Sequence, residues 1–108
     1  MPEEYNEQKR IAEERNKQKK LEKQRIETAE QIVRTLLNQK KIEKEHLNLV
    51  EEHLKYWNAK IENTEDDNKE RYNSLKKRLK KEEEIRNKII DHMNQLDKEI
   101  EFHRKHIH

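Results

Sequence analysis

The residues of this chain best suited to chemistry are its six histidines, because imidazole both binds transition metals and exchanges protons near neutral pH. Two groupings have a spacing that could put them to work. Glu99, His103 and His106 recur on one helical face, and Glu43 with His46 has the Glu-x-x-His spacing by which carboxylate-bridged di-metal bundles present their ligands. Such a centre also requires matching carboxylates and a second Glu-x-x-His on facing helices, and the second half of the chain offers neither. Neither a metal site nor a cofactor is therefore expected. His103 carries a different expectation: it falls at a core position opposite Ile26, where packing desolvates the ring and would make it sensitive to pH.

The other routes to catalysis lack their residues. There is no cysteine and no glycine, which removes a thiol nucleophile, a thiolate zinc site and a glycine-rich phosphate loop. No His-Glu-x-x-His and no nucleophile-and-base set occurs, and two paired helices form no concave pocket. The chain is not expected to be an enzyme.

What must position these residues is a pair of very long helices. Only 29% of the chain is hydrophobic and 46% is charged, too little apolar material for a thick core but enough for a thin helical seam. Lysine and arginine number 26 against 24 aspartate and glutamate, a balance of +2 that sets the chain apart from the strongly charged compositions of disordered segments. The single proline is Pro2, where it starts a helix whose first turn carries Glu3 and Glu4. The next start signal is Thr64, at capping-box spacing from Asp67. The spacing predicts one helix over about 2–62, a turn at about 63–64 and a second helix over about 65–107. So short a connection makes them antiparallel.

A heptad repeat runs through both helices without a slip in phase. Ile26, Val33, Leu36, Val50, Leu54 and Trp57 form the seam of the first, and Tyr72, Leu75, Leu79, Met93, Leu96 and Ile100 that of the second. A tight turn sets Trp57 opposite Tyr72, Leu54 opposite Leu75, Lys40 opposite Ile89 and Leu36 opposite Met93. It also sets Glu43 opposite Arg86, an ion pair expected to specify register. Acid-to-base pairs four residues apart, such as Glu13 with Lys17 and Glu84 with Lys88, support the solvated faces. The fold class expected is all-α, a long antiparallel two-helix coiled-coil hairpin that assembles into a four-helix bundle.

Two surfaces remain for partners. Ile32, Ile42, Leu49 and Tyr56 make a second stripe on the first helix, expected to be the interface of a homodimer. Residues 1–22 overhang the second helix as a basic helical arm carrying Arg10, Arg15, Lys17, Lys19 and Lys20, a docking surface for another helical protein. The function expected is that of a non-enzymatic structural or interaction module, a scaffold or adaptor. Nucleic-acid binding through the arm ranks behind it, because a run of charge is ordinarily a solvated face. A helical bundle designed without a biological role is a further alternative. It would share the lack of glycine, although three alanines and many asparagines are unlike surfaces filled with strong helix formers. No apolar run approaches the roughly 20 residues of a membrane span, and no signal segment opens the chain; a soluble, cytoplasmic protein is expected.

Two local resemblances carry no function over. Residues 96–107 resemble the histidine-rich coiled-coil segment of the mitochondrial ATP synthase inhibitor family, and Glu70-Arg71-Tyr72 is similar to the start of its inhibitory helix. Those features lie too close together here, behind a long helix. The small secreted hairpins named for a Trp-x-Gly turn share the length and Trp57, but Ala59 stands in place of the glycine.

Overall fold

The computed structural model describes residues 2–64 and 67–107. Two helices, α1 (Pro2–Glu62) and α2 (Lys69–Lys105), pack against each other as an antiparallel hairpin, with no strand among the described residues. The particle is a rod of 101 × 15 × 15 Å. At about 1.5 Å per residue α1 alone accounts for roughly 90 Å of that length. Both helices are amphipathic in the thin sense of a coiled coil. The buried positions of α1 are Ala29, Val33, Leu36, Val50 and Leu54, and those of α2 are Ile89, Leu96 and Ile100, all on the a and d positions of one heptad frame.

These side chains form two clusters. Val33 and Leu36 meet Leu96 and Ile100, with Ile32 and Ile107 packed alongside. Val50 and Leu54 meet Ile89, flanked by Leu47, Leu79 and Met93. Between the clusters the seam is charged. Lys40, Glu43, Glu82 and Arg86 all sit half-buried on it, and no polar side chain among the described residues is buried outright. A two-helix seam is narrow enough for such side chains to lay their methylenes across it and carry their charge to the edge.

The helices are aligned one heptad away from the register that a two-residue turn implies. Lys40 Nζ lies 2.6 Å from Asp97 rather than facing Ile89. Glu43 reaches His92 at 3.6 Å rather than Arg86, and Trp57 is covered by the Arg78 guanidinium, 4.7 Å from its ring, rather than by Tyr72. These displacements of eight, six and six residues average close to seven. The Glu43–Arg86 pair thus does not form and does not set the register. Leu54 no longer faces Leu75, and His103 moves away from Ile26 towards Val33, where it is half-buried instead of enclosed.

The physical cause lies in the connection. The Thr64 hydroxyl donates to the Lys60 carbonyl at 2.7 Å, back along α1, so it closes the first helix instead of capping the second. Asn68 is the cap: its Oδ1 accepts from the Arg71 N–H at 3.3 Å. The expected start of the second helix at 65 lies outside the described residues. A longer connection moves the alignment, and the seam permits only whole-heptad steps. The step taken brings Leu47 beside Ile89, where the tighter turn would have set Leu47 against Glu82 and Ile89 against Lys40. Matching apolar layers outweighs an in-layer ion pair that the side chains can forgo by reaching the edge.

A consequence is a longer overhang. Every residue from 3 to 25 is exposed, Ile26 is the first half-buried position and Ala29 the first buried one. The arm therefore extends to about residue 25 instead of 22. Among the described residues the Lys40–Asp97 ion pair and the Glu43–His92 contact, an ion pair only when the imidazole is protonated, both join α1 to α2; no acid–base pair four residues apart within one helix comes within ion-pair range. Exposed pairs of that kind contribute only about 0.2–0.5 kcal/mol, so the helices do not depend on them.

Candidate interaction surfaces

The heptad frame assigns each exposed side chain to an edge of the rod. Ile42, Leu49 and Tyr56 recur every seven residues on α1 at position c, and Leu21 lies on the same line. Their exposure is high: 56% for Ile42 and Leu49, 53% for Tyr56 and 61% for Leu21. Position g, next to that line, carries Ile32, His46 and His53. Ile32 differs from its neighbours, being half-buried and packed on the Val33–Leu96 cluster, so much of it belongs to the hairpin itself.

Which part of α2 shares this edge follows from the contacts across the seam. One open groove is lined by Leu21, Arg25, Thr28 and Ile32 from α1 and by Phe102, His103 and His106 from α2. The Phe102 ring stands edge-on to His106 at 4.9 Å and to His103 at 5.3 Å. His92, which meets Glu43, and Arg78, which covers Trp57, occupy the same heptad position as His106. Ile85 lies on that line too, midway between Arg78 and His92. In antiparallel pairs g positions flank g positions, so the c and g edge of α1 and that of α2 form one surface.

The hairpin therefore gathers Leu21, Ile42, Leu49, Tyr56, Ile85 and Phe102 on a single face, with His46, His53, His92 and His106 among them. The α1 stripe is legible in sequence; the contribution of Ile85, His92, Phe102 and His106 is not, because it depends on which edge of α2 lies alongside. The other exposed large apolar side chains are isolated. Leu37 and Ile90 sit at e positions on the opposite edge, and Tyr5 and Ile11 sit on the arm.

The remaining residues singled out in sequence fall as follows. Val33, Leu36, Val50, Leu54, Leu96 and Ile100 are buried, whereas Ile26, Trp57, Leu75, Leu79 and Met93 are half-buried. Tyr72, assigned to the seam, is 37% exposed. It lies on the first turn of α2 beneath the Lys76 ammonium, 4.8 Å from the ring centre, because the heptad shift leaves it without Trp57. Trp57 instead stacks edge-on with Tyr56 at 5.2 Å and receives Lys60 and Arg78 over its ring. Arg10, Arg15, Lys17, Lys19 and Lys20 are all exposed on the arm, beyond the end of α2. Lys76, Lys77, Arg78, Lys80 and Lys81 are exposed near the turn.

Among the described residues no three histidine or carboxylate side chains converge as a metal site would require, and Glu43 pairs with one imidazole only. Among the described residues the grooves along the rod are open: one lies at the turn between Lys60 and Arg71, one runs along α2 from Ser74 to Ile85, and one lies between the two helices beside Phe102. No helix among the described residues is long and apolar enough to cross a membrane. No protein-family model, curated protein or solved structure matches the chain.

Proposed function

We propose that this protein is a non-enzymatic structural or adaptor module that acts through helix–helix packing, and that it joins a second copy of itself through the histidine-bearing apolar face. The observation that carries this reading is the convergence of six exposed large apolar side chains from both helices on one edge of the rod. Scattered apolar residues are ordinary on a surface, but six of them aligned on one edge, spaced by threonines and histidines, mark a binding feature.

The size of the stripe fits the reading. From Leu21 to Tyr56 it runs about 50 Å at 1.5 Å per residue, and the rod is 15 Å wide. Covering that strip buries on the order of 750 Å² per copy, the size class of specific protein interfaces. A closed two-fold pairing buries the same strip on both copies and leaves no open end for further growth. The product is a four-helix bundle whose third layer supplements a seam in which no large side chain among the described residues is fully enclosed.

Sedimentation equilibrium at tens of micromolar tests this without assuming a shape. The wild type should give a dimer mass. Ile42→Glu and Leu49→Glu should each shift it towards monomer, while Glu27→Lys, on an exposed position off the stripe, should not. A monomer mass for the wild type with helicity unchanged on dilution would overturn the assignment.

A further inference from the structure

The apolar face differs from the rest of the rod in charge as well as in hydrophobicity. Along α1 the c and g positions from Thr28 to Tyr56 hold only threonine, isoleucine, glutamine, histidine, leucine and tyrosine. Not one lysine, arginine, aspartate or glutamate falls on that line, although such residues make up 46% of the chain. Arg25 and Lys60 bound it at either end. An edge about 40 Å long, at 1.5 Å per residue, is thus free of permanent charge. Such an edge can meet a second copy of itself without opposing like charge to like. The groups on it that change charge near neutral pH are His46 and His53.

These two imidazoles cannot be left out of an interface built on the stripe. His46 follows Ile42 by four residues and precedes Leu49 by three, and His53 stands in the same relation to Leu49 and Tyr56. At that spacing each ring lies between two apolar side chains on one helical face. Both rings are exposed in the single hairpin. A surface that covers Ile42, Leu49 and Tyr56 covers the rings with them, whichever way the second copy runs. A neutral imidazole accepts this at little cost, whereas an imidazolium gives up its hydration.

We propose that self-association of the hairpin is controlled by protons on His46 and His53: the dimer holds while both rings are neutral and separates into intact hairpins as they become charged. The inference rests on the self-association proposed above and adds its regulation. The surroundings offer a proton little compensation. On the α2 edge, heptad position places His92 and Lys88 beside His46, and Ile85 and Lys81 beside His53. The nearby carboxylates, Glu43 and Glu82, are half-buried on the seam, and Glu43 already meets His92 at 3.6 Å. A covered ring disfavours the charged form, so the dimer binds fewer protons than two free hairpins. Association therefore strengthens as pH rises through the range in which imidazole titrates and weakens as pH falls through it.

Sedimentation equilibrium of the full chain at pH 7.5 and 5.5, with circular dichroism on the same samples, tests the proposal. The wild type should be a dimer at the higher pH and shift towards monomer at the lower. Helicity should not change, because His103 is the only histidine at a seam position. Each dimer covers four rings, two from each copy, so even partial exclusion of the proton should raise Kd about a hundredfold across that interval. Combining His46→Gln with His53→Gln keeps both positions neutral and should give the same dimer at both pH values. Combining His46→Lys with His53→Lys makes the charge permanent and should give a helical monomer at pH 7.5. A double glutamine variant that still dissociates at pH 5.5 would overturn the assignment to these rings, as would a wild-type dimer indifferent to pH or one that loses helicity as it dissociates. Self-association would stand in each of those cases. A wild type that is monomeric at pH 7.5 would overturn both.

Discussion

Leu36 and Leu37 are adjacent, chemically identical and on the same helix, yet the hairpin treats them differently. Leu36 is 8% exposed and packs with Val33, Leu96 and Ile100; Leu37 is 40% exposed on the opposite edge from the apolar stripe. Leu→Ala in a well-packed interior costs about 2–5 kcal/mol, of which part reflects the cavity left behind. A seam between two helices is open along both sides, so the gap at Leu36 can close or fill with water. The lower half of that range applies, about 2–3 kcal/mol. Leu37→Ala removes methyl groups that remain largely in water, and alanine favours the helix slightly over leucine; its cost should be under about 1 kcal/mol. Urea unfolding followed by circular dichroism at one fixed protein concentration measures both, and the fixed concentration holds the mass-action contribution of any dimer the same for the two variants. With a slope of roughly 1–1.5 kcal/mol per molar urea, the Leu36→Ala midpoint should fall by about 2 M and that of Leu37→Ala by less than 1 M. Equal losses would refute the a and d seam, and a larger loss at Leu37 would move the principal interface to the other edge.

Further outcomes follow from individual contacts. Asn68→Ala should cost about 1 kcal/mol and increase amide exchange in the first turn of α2, as loss of a helix cap does, whereas Thr64→Ala, whose hydroxyl only bonds back to Lys60, should change stability by a few tenths of that. Arg78→Ala should uncover the face of Trp57 and shift the emission of this sole tryptophan to the red, a change that a Tyr72→Ala variant should not reproduce. Generic RNA and DNA in a low-salt gel shift should show no tight retention; binding that weakens steeply with added salt, as release of phosphate counterions requires, would transfer the function to nucleic acid.

The charged stretch at the middle of the hairpin seam has a structural corollary. Lys40 meets Asp97 across the seam, and Glu43 meets His92, both at partly exposed edges. Such pairs contribute roughly 0–1 kcal/mol, so the two apolar clusters on either side carry the hairpin, with the charged stretch between them joining rather than strengthening it. Local opening should begin there and at the arm, where apolar contacts are sparsest.

Helix content and seam phase were legible in the residues because both are local. The absence of glycine, the proline at position 2 and an unbroken heptad specify long helices and pick out Val33, Leu36, Val50, Leu54, Leu96 and Ile100 without reference to any partner. Register was not legible, because sliding one helix by seven residues leaves every a and d position on the seam; phase and register are separate quantities. The choice was made by the connection and by layer matching. A threonine hydroxyl can cap the helix that follows or bond back to the one before it, and local sequence does not distinguish the two; with Thr64 bonded to Lys60 and Asn68 as the cap, Leu47 meets Ile89 and Glu43 loses Arg86. The second surface divided in the same way. The stripe of Ile42, Leu49 and Tyr56 is periodic along one helix and visible in the chain, but its continuation through Ile85, His92 and Phe102 exists only once the helices are antiparallel and in this register, since side chains on different helices share a face only through packing.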